Sequence, residues 1–315
     1  MIVEIEPKFE ESAIALGARA LYVVDSRYEQ NQNPEYDFQY HRVRHSALVA
    51  SRFKSLAEEI YKVDPEIISQ RDILLGEALA KGHDRFIAWY SEPQFKNCIE
   101  RVLMRRLGGY NEETSAFETI GDMRKINLDL GIEIFTNEDE KVCFESYGVT
   151  IPGFSLETKT VFQPRLCKDS SLIARLIAFA DLGSAGLFPF GYIKDGNNLF
   201  REEQLDIFRR LTDAEPIAEA ERKDISDRIR LWSHSQVDFA FGRGALFEQE
   251  LGDLPEKIKD ILRSRFSKFR ASADASLNIA QAREGMNFAE KIHSMGYLTS
   301  DTRSRLIKQS HLLSN

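Results

Sequence analysis

The chain has 315 residues and a mass of 36.1 kDa, enough for two ordinary domains or one large one. A chain of this length buries well over half of its unfolded surface, so it folds without disulfides or a structural metal, and 43% hydrophobic against 29% charged residues excludes a disordered or fibrous chain. With 50 acids against 42 bases the formal charge is −8, which argues against a coat for nucleic-acid polymers but leaves room for a local basic pocket around a small anion.

Residues Met1 to Glu11 carry four glutamates where a secretory leader would be basic and then apolar. No apolar run reaches the roughly 18–20 residues that cross a bilayer. A soluble, cytoplasmic protein without membrane contact is expected. Cys98, Cys143 and Cys167 are odd in number and far apart, which indicates neither a disulfide framework nor a zinc knuckle.

Apolar residues recurring at three and four predict a mostly helical chain. The first helix spans 10–29. The next follows the seam Val49, Phe53, Leu56, Ile60, Val63 and stops at Asp64-Pro65. Further helices are predicted over 69–82, 94–107, 113–135, 170–182, 201–212, 216–241, 255–282 and 286–313, with Asp213 and Pro216 as the capped start of the long helix after 213.

The segment Thr136 to Asp169 breaks the pattern with Gly148, Pro152, Gly153 and Pro164. Its β-favouring runs Val142–Tyr147 and Thr158–Phe162 predict a hairpin or an extended excursion. The expected fold class is all-α, a helical bundle with a small β or irregular insertion and additional C-terminal helices. A soft boundary divides residues 1–212 from a helical region 213–315, because no Gly/Ser/Pro-rich linker separates them. The apolar run Ile258, Ile261, Leu262, Phe266, Phe269 supplies surface for core packing or for a homo-oligomer interface.

Three of the six histidines, His41, His45 and His83, lie in the first 83 residues. His41 and His45 are four apart on a predicted helix and project from one face. Carrying the Val49 seam back by four lands on His45. In the same way Leu75 and Leu79 continue to His83, and Ile173 and Ile177 continue to Asp181. Burying such a group without a partner costs several kcal/mol. Alone, each reads as a hydrogen-bonded core residue or a helix end. Together with Asp84, one divalent metal would satisfy two imidazoles and two carboxylates, a mixed N/O set suited to Fe, Mn, Zn, Co, Ni or Mg.

The order His45, His83-Asp84, Asp181 resembles the H…HD…D signature of the HD-domain metal-dependent phosphohydrolases, which are all-helical. Tyr40-His41-Arg42-Val43-Arg44-His45-Ser46-Ala47 is similar to the YHxxxHA segment of the cyclic-nucleotide phosphodiesterase branch. Ala178-Phe179-Ala180-Asp181-Leu182 is similar to that branch's AxADL segment. The resemblance covers roughly residues 36–190. It implies that His45, His83, Asp84 and Asp181 ligate the metal and that His41 protonates a leaving oxygen. Residues 1–212 would then form the phosphohydrolase domain, with His41 and Asp84 as catalytic residues and a small phosphorylated substrate, a nucleotide among the candidates.

Two departures stand out. No histidine occurs between His83 and His234, which favours one metal over an iron pair. Ile87 occupies the place where the nucleotidase-like branch carries a catalytic glutamate, so Glu112, Glu113, Glu118 or Asp122 would have to supply that carboxylate, if they are not simply the acids of a helix N-terminus. The constellation permits attack by a metal-activated water on a phosphate mono- or diester, with Arg42, Arg44, Arg52, Lys81, Arg85, Arg124 and Lys125 as candidate phosphate cations. The alternative is a ligand-sensing or scaffold protein that keeps the metal site with little turnover.

Other motifs fail on chemistry. His41 to His45 has the spacing of a zinc-protease helix, but Arg42 stands where its glutamate base would be. Leu182 replaces the first glycine of a nucleophile elbow before Gly183-Ser184-Ala185-Gly186. His234 and Asp238 share a helix face among Trp232, Phe239 and Phe241 and read as core, while His293 and His311 read as surface or packing residues.

Overall fold

The spacing of Val49, Phe53, Leu56 and Ile60 puts all four side chains on the buried face of one helix in the computed structural model, while Val63 at its last turn is exposed. Residues 7–30, 38–96, 99–213 and 215–296 are described. Their order is α1 (Pro7–Asp25) with a π-helical turn (Ser26–Gln30), α2 (Val43–Val63), α3 (Gln70–Gly82), β1 (Trp89–Lys96), β2 (Ile99–Arg106), α4 (Tyr110–Leu130) and α5 (Asn137–Val149). There follow β3 (Gly153–Ser155), β4 (Thr160–Phe162), α6 (Leu172–Leu182), α7 (Ser184–Leu187), α8 (Pro189–Glu203), α9 (Leu205–Thr212), α10 (Glu219–Leu251), α11 (Glu256–Arg265), α12 (Phe269–Glu284) and α13 (Phe288–Ser294). The expected all-α architecture with a small β insertion is the one observed, with two antiparallel two-stranded sheets among the described residues. No helix among them is long and apolar enough to cross a membrane.

The main core is built from α1 to α6 together with the end of α10 and α11, so that Phe247, Leu251, Ile258, Leu262 and Phe266 share one apolar cluster with Val49 and Phe53. Residues on both sides of position 212 therefore pack together. A second cluster, with Phe200, Phe208, Ile229, Ile292 and Met295, joins α8, α9, α10 and α13.

Four local expectations are corrected. Residues 94–107 belong to the β1–β2 hairpin, in which Trp89 pairs with Arg106 and Glu92 with Leu103. Phe95, Ile99 and Val102 have helical spacing, but Val102 and Met104 alternate inward with Trp89 against Tyr28, Phe38 and Ile87, a period of two. The run Val142–Tyr147 is helical. Thr136 Oγ1 accepts from the Asp139 amide at 3.3 Å, and Asp139 returns a bond to the Thr136 amide at 2.7 Å, a capping box that starts α5.

Asp213 closes α9 instead of opening the next helix, and α10 begins after Ala218, whose amide donates to Glu221. The helix expected over 255–282 breaks at Phe266 into α11 and α12, and α8, with Pro189 in its first turn, starts in a stretch without an expected helix and runs into the first residues of the one expected over 201–212. The expected strand over Thr158–Phe162 is present as β4. The remainder of the 286–313 helix after Gly296, together with Cys98 and His311, lies outside the described residues.

Candidate metal centre

Three chain segments carry the candidate ligands to one place. His45 lies in the first turn of α2. His83 caps the C-terminus of α3, with Asp84 in the turn beyond it, and Asp181 sits in the last turn of α6. Gly82 permits this turn to lie against α5, because a Cβ there would stand 2.5 Å from Tyr147 Oη. That hydroxyl donates to the carbonyl of Leu79 at 3.0 Å. The helical relation expected between His41 and His45 does not hold, since α2 begins only at Val43. His41 precedes the helix, and its ring still lies 6.0 Å from that of His45.

One ligand atom from each of His45, His83 and Asp84 lies within 4.8 Å of the others, and all three residues are buried. Asp84 Oδ2 is 3.3 Å from His45 Nε2 and 3.1 Å from His83 Nε2. Asp181 Oδ1 faces the same two nitrogens at 3.3 and 3.7 Å. His83 Nδ1 donates to the carbonyl of Ala80 at 2.8 Å, which leaves the lone pair on Nε2. The Nε2 atoms of both His45 and His83 are buried without a hydrogen-bond partner. Two orphaned imidazole nitrogens facing two carboxylates fit a divalent cation, and the His45–His83–Asp84 group can hold one.

The electrostatics agree. Burial disfavours charge on the His45 and His83 imidazoles, but the carboxylates of Asp84 and Asp181 outweigh it and raise both pKa values. Burial likewise pushes the two carboxyls up, and the facing histidines overcome it and hold both below the usual carboxylate range. The cluster thus attracts positive charge, as a proton or as a metal.

His41 is set apart by Glu202, a buried residue of α8. Glu202 Oε2 lies 2.5 Å from His41 Nδ1, while Oε1 accepts from the amides of Gln39 at 2.6 Å, of Tyr40, and of His41 at 2.9 Å. A carboxylate accepts, so Nδ1 carries the proton and Nε2 faces the centre, 4.0 Å from Asp84 Oδ2. Opposite, Arg106 Nη2 reaches Asp84 Oδ1 and Glu112 Oε1, each at 3.3 Å.

No family model, curated protein or solved structure matches the chain. Its chemistry is therefore read from the site itself.

Most of the cations named from sequence are engaged elsewhere. Arg85 pairs with Asp122 at 2.6 Å and Glu118 at 3.0 Å, Arg124 with Glu140, and Lys81 with Glu77. Arg52 donates to the carbonyl of Ala180. Of the candidate acids, Glu118 and Asp122 belong to that arginine network and Glu113 is exposed, while Glu112 reaches the centre through Arg106. Arg106 and Glu202 escaped sequence reasoning. Arg106 lay in a strand read as helix, and nothing in Arg201-Glu202-Glu203 singles out the middle residue. His234, read as core, is partly exposed and pairs with Glu284 at 2.9 Å.

Beyond Tyr40, whose ring lies 4.3 Å from that of His45, a cavity of about 360 Å³ opens between α8, α10 and the β3–β4 hairpin. Tyr192, Trp232, Phe239 and Gln236 are among its walls. Gly196 is bare where a Cβ would come within 2.2 Å of Gln236 Oε1, which gives the amide room against α8.

Proposed function

We propose that the protein is a metal-dependent phosphohydrolase that cleaves a phosphate mono- or diester, with nucleotides among its candidate substrates, and that it is of the HD-domain kind its sequence resembles. The observation that carries the reading is the pair of buried, unpartnered Nε2 atoms of His45 and His83 opposite Asp84 and Asp181. These four residues would hold one divalent ion, whose contribution when bound is Lewis acidity toward water and toward a phosphoryl oxygen.

The rest of the work falls to the chain. Glu202 fixes the His41 ring through Nδ1 and aims Nε2 at the edge of the cluster, where the ring would give a proton to a departing alkoxide. Arg106 holds one oxygen of Asp84 and leaves the other to the imidazoles. The cavity beyond Tyr40 would seat the organic part of an ester, and its aromatic residues Tyr192, Trp232 and Phe239 with the donor and acceptor of Gln236 suit a flat heterocycle.

Turnover of p-nitrophenyl phosphate, bis-p-nitrophenyl phosphate and a set of nucleotides tests this with protein supplied with Mn, Fe, Zn, Co, Ni or Mg. Wild-type protein is expected to hydrolyse at least one ester, and His41→Ala to lose about 100-fold or more while keeping its metal. Absence of turnover on every ester with every metal would refute the enzymatic reading. A second reading, a ligand sensor that keeps the metal site, draws on Ile87 and on the engagement of Glu112 with Arg106 and the Gly109 amide. Nucleotide binding without hydrolysis selects it.

A further inference from the structure

The cavity beyond Tyr40 contains two carboxyls that the hydrolytic chemistry does not use. Asp195 and Glu203 both come from α8 and are half-buried, and neither has a hydrogen bond or an ion pair among the described residues. Burial raises the pKa of both, and that of Glu203 reaches about 7 against the pull of Arg105. A carboxyl left in this condition costs free energy whenever it is charged, and a cation beside it removes that cost.

The cations around the cavity pull on these carboxyls without pairing with them: His45, Arg52, Arg44 and Lys194 act on Asp195, and Arg105 and Arg106 on Glu203, yet burial outweighs them at both. Lys159 and Arg105 are exposed, and Arg105 Nε already donates to Glu92 at 2.9 Å. The remaining walls include the aromatic rings of Tyr40, Tyr192, Trp232 and Phe239, a residue type that attracts cations as well as flat rings. A cavity of about 360 Å³ has room for an aromatic group with a short arm.

We propose that this cavity is a subsite for a positively charged nitrogen attached to an aromatic or heteroaromatic group, with Asp195 and Glu203 as the residues that select it. Resting on the reading of the cavity as the seat of an ester's organic part, the inference narrows the substrate class to phosphate esters of cationic, ring-bearing alcohols.

The test needs neither phosphate nor turnover. Binding of 1-naphthylmethylamine and of its neutral counterpart 1-naphthylmethanol is measured by calorimetry on the full-length protein after treatment with a chelator. The amine is expected to bind about tenfold or more tightly than the alcohol, as a charge-assisted bond to a half-buried carboxyl implies. The preference should vanish in Asp195→Asn/Glu203→Gln and persist in His83→Ala/Asp84→Ala. The single variants Asp195→Asn and Glu203→Gln, each losing part of the preference, keep the result readable if the double variant folds poorly.

Equal affinity for the two probes, or binding of neither, would overturn the proposal. So would a preference that survives the α8 substitutions and disappears in His83→Ala/Asp84→Ala, since the amine would then sit on the vacant metal ligands. Because no hydrolysis is read, failure here leaves the phosphohydrolase reading standing, and failure of that reading leaves this result interpretable.

Discussion

Asp84 illustrates how one side chain is divided between two tasks. Its Oδ2 faces the imidazoles of His45 and His83, and its Oδ1 is held by Arg106, which also neutralises Glu112. Arg106→Met removes the bond while keeping much of the bulk. Outer partners of this kind typically contribute 10–100-fold to metal affinity, so Arg106→Met is expected to weaken metal binding by about that factor in a competition titration. An unchanged affinity would show that Asp84 is oriented without it. The inward placement of His45, His83 and Asp181 was legible in sequence because each continues an apolar seam by four residues, a purely local signal, and Asp84 entered only as the neighbour of His83. Glu202 was not legible, because its meaning comes from His41, 161 residues away.

At the scale of elements, the α2–α3 contact sets the distance between His45 and the His83–Asp84 turn, and it depends on Gly76. A Cβ at Gly76 would stand 2.0 Å from Phe53 Cζ, and Phe53 is fully buried. Gly76→Ala is therefore expected to destabilise the fold by about 1–3 kcal/mol in urea denaturation. Gly121, in α4, has nothing within 4 Å of the same position, so Gly121→Ala should be neutral or stabilising by up to about 1 kcal/mol. Equal effects of the two substitutions would contradict this packing. The one-sided apolar seam of α2 was readable from spacing alone, whereas α6 is buried all round from Ile173 to Ala180. The β1–β2 hairpin was not readable, because Phe95, Ile99 and Val102 mimic a helix and only the partner strand reveals the alternation. The capping box at Thr136 and Asp139 was a missed local signal that distinguishes α5 from a strand.

For the molecule as a whole, stability should carry the mark of Glu203. Its pKa in the fold, about 7, lies above the ordinary value of 4.5, so the folded chain holds a proton that the unfolded chain has released between those values. The stabilisation is complete below about pH 4.5 and is lost as the pH rises through about 7. Comparing urea midpoints of wild type and Glu203→Gln at pH 5 and pH 8 isolates this group, because the other titrations are common to both proteins. The difference is expected to shift in favour of Glu203→Gln at pH 8, and a pH-independent difference would show that Glu203 is solvated.

The acidic balance of the chain has a local counterpart at the centre, where Asp84 and Asp181 draw positive charge onto two buried imidazoles. Metal content measures that most directly. Purified wild-type protein, loaded with each divalent metal in turn and freed of excess, is predicted to retain one ion per chain, and His83→Ala/Asp84→Ala, with its helical circular dichroism intact, only traces. Wild-type protein that retains no more metal than this variant would contradict the assignment of the centre.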